Sequence, residues 1–308
     1  MYSKKVLLGG MYMSDKSPAT DKRNLKMGLA FLAPNFSGFL ILLLIPSIAS
    51  LVLAFTEWDL LTKPVFIGIK NFINLLASPT FWQVLKNTLY FTLVSVPLGL
   101  LLSFLLALLM NKELKGITVY RVLYYIPVIS SSVAVAVMWR WIYNSDFGLL
   151  NYFLGFFGVN PINWLTDIRW AMPSIIIMSV WKSLGSGMII FLAGLQGIPR
   201  QLYEAADIDG AGSFEKLIKI TVPLMTPTIF FVLITNLISS FQVFEQTYVL
   251  TQGGPMGSTE TIVYSIYKNA FEWFKMGYAS ALAWILFGII FVVTMLQWWL
   301  QKRWVHYE

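Results

Sequence analysis

Long apolar runs alternate along this chain with shorter polar stretches. Six runs, residues 29–55, 87–110, 122–138, 171–195, 222–244 and 277–300, approach or exceed the length of helix needed to cross a hydrocarbon layer, about 20 residues. Within them only Lys182, in the fourth, carries a formal charge. Lipid offers no hydrogen-bond partner to an open strand, so each run is predicted as a helix, with all its backbone groups bonded internally. Pro34, Pro46, Pro97, Pro127, Pro173 and Pro223 lie in or at the ends of these runs. They predict kinks rather than breaks, because membrane helices re-satisfy the groups a proline frees. The expectation is an all-α membrane protein of six spans. Residues 1–28 form a polar tail, 29–300 the six-span domain and 301–308 a second short tail, with no soluble domain attached.

Composition supports that solvent. Hydrophobic residues make up 57% of the 308 and charged residues 12%, with a mean hydropathy of +0.69. A soluble domain carries roughly a quarter of its residues as charges. If the spans alternate direction, one side holds Lys4, Lys5, Lys16, Lys22, Arg23, Lys26, Lys112, Lys115, Arg121, Arg200, Lys216, Lys219, Lys302 and Arg303, most of the 22 basic residues. The excess of positive charge puts that side, both termini included, in the cytoplasm. Topology and anionic lipid account for the net charge of +7 without any nucleic acid. The tryptophans agree. Trp58, Trp82, Trp139, Trp141, Trp164, Trp170 and Trp273 fall near one set of span ends, and Trp298, Trp299 and Trp304 near the other, as in an interfacial aromatic belt. Only Trp181 and Trp284 fall at membrane depth.

Several chemistries have no foothold. There is no cysteine, and the single histidine is His306, so no metal site is expected, since a site needs several converging ligands. No histidine or carboxylate pair at membrane depth offers acid–base catalysis, and the chain is not expected to be an enzyme. It contains no Gly-Lys dipeptide, hence no phosphate-binding loop of the Walker type. The first 26 residues do not read as a cleaved signal.

The polar segment 198–223, IPRQLYEAADIDGAGSFEKLIKITVP, interrupts two apolar runs. Pro199 suits the first turn of a helix, and residues 201–208 read as that helix. Asp209-Gly210-Ala211-Gly212 reads as a sharp turn, because glycine enters positive φ cheaply. Ser213 is placed to cap a second helix, whose Phe214, Leu217, Ile218 and Thr221 share a face. Ala205 and Ala206 are small enough to admit another surface, and Leu202, Tyr203 and Ile208 offer it apolar anchors. Two readings of this surface helix–turn–helix stand on physics alone. It rests on lipid headgroups, or it carries a push from a partner into the membrane.

The residues carry a resemblance. Glu204-Ala205-Ala206, Gly210, Ile220 and Pro223 resemble the "EAA" loop of permease subunits of ATP-binding-cassette importers. NTLYFT at 87–92, YYIPVISSSVAVAVMWRWIYN at 124–144, VWKSLGSGMIIFLAGLQGIP at 180–199 and FEQTYVLTQGGP at 244–255 are similar to the carbohydrate-uptake branch, the maltose and glycerol-phosphate types. Family members often carry Asp where this chain has Glu245. The resemblance implies a permease of a bacterial or archaeal cytoplasmic membrane. Its partners would be a second homologous permease subunit, an ATPase dimer holding ATP and Mg, and an extracytoplasmic solute-binding protein. No cofactor would be bound by this chain. Glu204, Ala205, Ala206, Asp209 and Gly210 would couple it to the ATPase.

Candidate pathway residues follow from polar chemistry inside spans. Lys182 is an intramembrane charge, which is costly and marks function by default, or else snorkels to the interface. Trp181 either stacks on a sugar ring or packs, and Gly185 and Gly187 beyond it would loosen the helix. Asn236, Ser240 and Gln242 in the fifth run, with Glu245, Gln246 and Tyr248 at its end, suit a polyhydroxylated cargo, or bind helices together. Two alternatives remain at this point: the same architecture importing glycerol phosphate or another polar solute, and an ion-coupled secondary transporter. The latter usually buries acids for ion relay, and here the acids avoid all six runs.

Overall fold

Helix formation here is dictated by the runs themselves, and their proline and serine positions decide where the helices bend. The computed structural model describes residues 18–112 and 115–305. Residues 1–17, the greater part of the expected tail, and His306 lie outside the described residues. The chain divides into two units, 1–52 and 53–308. The first contains α1 (Pro18–Phe39), a π-helical turn over Leu40–Leu44 and most of α2 (Ile45–Leu53). α1 starts well ahead of residue 29, with Pro18 in its first turn, where a missing N–H costs nothing. Pro46 follows directly on the π turn, whose wider winding makes room where proline cannot donate to the carbonyl four residues back.

The second unit opens with a small antiparallel ribbon, β1 (Thr56–Glu57) on β2 (Val65–Phe66), pairing Thr56 with Phe66 and Glu57 with Val65. There follow α3 (Lys70–Ala77), α4 (Pro79–Met110), α5 (Ile117–Ile129), α6 (Ser132–Ile142), α7 (Leu149–Gly155) and α8 (Ile168–Gly197). Next come α9 (Arg200–Ile208), α10 (Ser213–Lys216), a π turn over Leu217–Thr221, α11 (Val222–Leu224) and α12 (Thr226–Phe241). The chain closes with α13 (Glu245–Leu250), α14 (Ile262–Tyr267), a π turn over Lys268–Glu272 and α15 (Met276–Gln301).

Among the described residues, four helical stretches are long and apolar enough to cross a membrane: Lys26–Leu53, Pro79–Met110, Ile168–Gly197 and Met276–Gln301. Two further pairs are sharply bent. α5 and α6 meet at 101°, and the stretch Ser213–Leu224 meets α12 at 65°; counting each pair as one span brings the number to six. The third and fifth runs, expected as single helices, are therefore broken. In the third, Pro127 denies α5 an internal bond and Ser130 turns extended, at φ −73° and ψ 146°. In the fifth, Pro227 in the first turn of α12 cannot donate back across Met225.

α4 and α8 form the central pair. Small residues bring them close: Ser103 Oγ donates to the Leu184 carbonyl at 3.2 Å, and a Cβ on Gly187 would collide with Ser103. A Cβ on Gly185 would run into the Tyr124 carbonyl of α5. These glycines do not loosen α8, which is unbroken through both. They are contact points where backbones approach, the usual role of small residues between membrane helices. Asp167 caps α8, accepting from the Arg169 N–H at 2.8 Å. Apolar clusters fill three places: around Phe91, Ile175 and Met178, around Met188, Phe191 and Met225 toward the α9 end, and around Leu75, Ile262 and Leu282 beside α15.

Candidate functional site

Between α4, α8 and the α12–α13 junction lies a half-open cavity of about 370 Å³, within the roughly 300–1,000 Å³ typical of small-molecule sites. Its polar lining comes from four helices, α4, α8, α12 and α13. α4 contributes Ser95, α8 Ser179 and Ser183, and α12 Asn236, Ser239 and Ser240; Gln242, Glu245 and Gln246 complete it. Phe91, Val96, Val180, Val243 and Phe244 form the apolar walls. Helical spacing explains the convergence. Ser179 and Ser183, like Asn236 and Ser240, are four residues apart and share a face.

Satisfaction of these groups is uneven. Ser183 Oγ donates to the Val180 carbonyl at 3.1 Å and Ser240 Oγ to the Leu237 carbonyl at 2.9 Å. Ser95 and Ser179 bury their hydroxyls with no partner among the described residues. A buried unmade hydrogen bond costs about 1–3 kcal/mol, and both serines are among the residues that line the cavity.

Of the expected pathway residues, the fold brings Asn236, Ser240, Gln242, Glu245 and Gln246 to this cavity. Trp181 stands aside, edge-on to Trp139 at 5.4 Å, packed against the cluster around Ile175. Lys182 is half-buried midway along α8 and does not line the cavity. Tyr248 lies next to it in a group of aromatic rings with Phe244, 5.4 Å away and stacked. The sequence reading passed over Ser95, Ser179 and Ser183. The signal was the four-residue spacing of Ser179 and Ser183 around Lys182, but a serine in a membrane helix ordinarily bonds its own backbone.

The second feature is the segment of α9 and α10. Gly210 adopts φ +77° at the turn between them. Glu204, Ala205 and Asp209 are exposed and Ala206 is half-buried. Ile208 is 88% exposed, and Phe214 is also open. Tyr203, expected as an anchor for another surface, turns inward instead. Its hydroxyl meets Thr221 Oγ1 at 2.9 Å, and Thr221 also reaches the Lys216 carbonyl at 3.3 Å. Asp207 pairs with Lys216 across the turn. Ser213 does not cap α10; Gly212 holds that position and Ser213 is the first helical residue. Further along, Lys219 donates to Glu215 at 2.6 Å and holds its carboxyl below the usual carboxylate range.

Residues 39–306 match the family described as binding-protein-dependent transport system inner membrane component. The chain belongs to this family: it is a multi-pass inner-membrane component of a transport system, and not an enzyme. It is 42% identical over 300 residues to the probable ABC transporter permease protein YesP of Bacillus subtilis, covering 95% of this chain and 96% of that protein. It is 35% identical over 283 residues to the lactose transport system permease protein LacF of Rhizobium radiobacter, covering 90% and 94%. It is 34% identical over 277 residues to the trehalose/maltose transport system permease protein MalF of Thermococcus litoralis, covering 89% and 92%. Among solved structures it superposes on a chain of a bacterial ABC transporter that imports the acidic polysaccharide alginate. The TM-score is 0.83 at 27% identity, over 92% of this chain and 98% of that one. A second structure of a bacterial alginate transporter, with a TM-score of 0.82 and 26% identity, includes a periplasmic protein carrying an alginate pentasaccharide and is matched over 93% and 97%.

Proposed function

We propose that this chain is the transmembrane permease subunit of an ATP-driven importer of sugars or oligosaccharides. It forms part of the translocation path at the cavity between α4, α8 and α12. The observation that carries this reading is the convergence of serines, amides and a carboxylate on one cavity with apolar walls, two of those serines, Ser95 and Ser179, having unpartnered hydroxyls. A polyhydroxylated solute presents both the hydrogen-bond partners those groups need and apolar ring faces for Phe91 and Phe244. The cargoes named for similar permeases, lactose, trehalose and maltose, and arabinooligosaccharides, are of this kind.

The segment from α9 to α10 is the coupling element. Its exposed Glu204, Ala205, Asp209 and Gly210 meet a separate ATPase, which binds the ATP and Mg. A second, homologous permease completes the path and a solute-binding protein delivers cargo at the opposite face. The skew of basic residues supports a cytoplasmic side for α9 and both termini.

The test is Ser179→Ala, alone and with Ser95→Ala, in the assembled importer. Removing a buried hydroxyl that has no partner leaves folding stability unchanged or slightly raised. Losing a contact to cargo lowers uptake about fivefold to tenfold. Uptake unchanged in the double variant sinks the cavity as the sugar path.

A further inference from the structure

Beside the cavity stands a continuous group of five aromatic rings drawn from α13 and the residue before it, α14 and the π turn after α14. Phe244, itself a wall of the cavity, is stacked with Tyr248 at 5.4 Å and lies 5.2 Å from Tyr267. Tyr267 stands edge-on to Tyr248 at 5.3 Å and touches Phe271 at 5.6 Å. Tyr264 backs the group, 6.1 Å from Tyr248 and nearly parallel to Tyr267 at 6.5 Å. The rings therefore form a path from Phe271 through Tyr267 and Tyr248 to Phe244 and the cavity.

The path is rigid at its base and open along its edge. Tyr264 is buried, and its hydroxyl donates to the Gln252 carbonyl at 3.1 Å. Burial, with Glu272 and Glu260 nearby, pushes that phenol up to about 12, so it stays a neutral donor. Lys268 lies over the same ring at 5.7 Å and pairs with Glu260 at 3.1 Å. Tyr248, by contrast, is 39% exposed and Phe271 60% exposed. Rings of an interfacial belt stand apart along the lipid boundary. These rings contact one another and end at a polar cavity.

We infer that this aromatic path is a stacking ramp for sugar rings and that the cargo is an oligosaccharide rather than a single sugar. The inference rests on the sugar-importer reading above. A pyranose has an apolar face and a hydroxylated edge. Aromatic faces take the former, and the carboxylate of Glu245 takes the latter. A cavity of about 370 Å³ holds only a short saccharide. The remaining rings of a longer chain lie along the ramp, where the exposed aromatic surface of Tyr248 and Phe271 adds affinity without demanding a particular sugar, as stacking platforms do for other ring ligands.

The test uses the complete importer in vesicles with saturating solute-binding protein. The cargo panel is maltose-series, arabinose-series and alginate oligomers, graded in length from single sugars upward. Tyr248→Leu keeps apolar bulk but loses the flat face; Tyr248→Phe keeps the face. The expected result is a loss of transport of about tenfold with Tyr248→Leu for oligomers of three or more rings. Single sugars and disaccharides change by less than about twofold, and Tyr248→Phe behaves as wild type. Phe271→Ala repeats the pattern, shifted to longer oligomers. The ramp is overturned by a loss independent of length, by no loss, by Leu serving as well as Phe, or by a wild type that moves single sugars alone. A wild type that moves no member of the panel overturns the sugar reading instead, and the ramp with it.

Discussion

Gly210 shows how one residue sets the geometry of the turn between α9 and α10. Its φ of +77° is open to glycine and costs roughly 1–2 kcal/mol for a residue with a Cβ. No neighbour lies within reach of a Cβ there, so the restriction is conformational and not steric. Gly210→Val should therefore leave insertion and assembly intact while lowering transport and solute-stimulated ATP hydrolysis several-fold, because the turn must open to relieve φ. Normal hydrolysis and transport by an assembled Gly210→Val complex would remove this turn from the coupling path. This residue was legible in the sequence, since a glycine between an acid and alanine after a short helix has few other uses. Ser95 and Ser179 were not. Nothing in a serine's neighbours along the chain says whether its hydroxyl finds a carbonyl or faces a cavity.

At the scale of the element, Tyr203 joins α9 to the π turn that leads toward α12. Tyr203 spans from α9 to Thr221, the last residue of a π turn just ahead of a 65° bend. π turns often mark functional sites. A displacement of α9 reaches the hinge most directly through this pair of hydroxyls. Tyr203→Phe keeps the ring and its packing and removes the contact, at a cost of about 1 kcal/mol in stability. The expected outcome is fewer cargo molecules moved per ATP hydrolysed, with hydrolysis itself sustained. An unchanged ratio would assign the contact to packing alone. The ion pair of Asp207 with Lys216 stiffens the same turn, but Asp207 is largely exposed, and such pairs contribute at most about 1 kcal/mol. The helix in α9 was readable from its proline start and glycine stop. The inward turn of Tyr203 was not, because an amphipathic pattern cannot say which apolar side chain meets this chain and which meets a partner.

For the whole molecule, orientation is the property on which the proposed machine depends. The chain has no native cysteine, so single cysteines report cleanly. Ile208 at the end of α9 is 88% exposed and Met256, in the loop between α13 and α14, is 85% exposed. Ile208→Cys should react with a membrane-impermeant thiol reagent only from the cytoplasmic side, and Met256→Cys only from the opposite side. Reaction of Ile208→Cys from outside would invert the arrangement and detach α9 from any cytoplasmic ATPase.

The apolar runs, their near absence of charge and the skew of lysine and arginine sufficed to define a multi-pass helical membrane protein, and the segment 198–223 its kinship. Those properties are local: transfer of a segment into lipid depends on that segment's own residues. Which serines line one cavity and which rings join from Phe271 to Phe244 were decided only by tertiary packing. Each depends on which helix faces become neighbours, and that follows from backbone approach at Gly185 and Gly187 and from bends at proline, summed over the whole bundle.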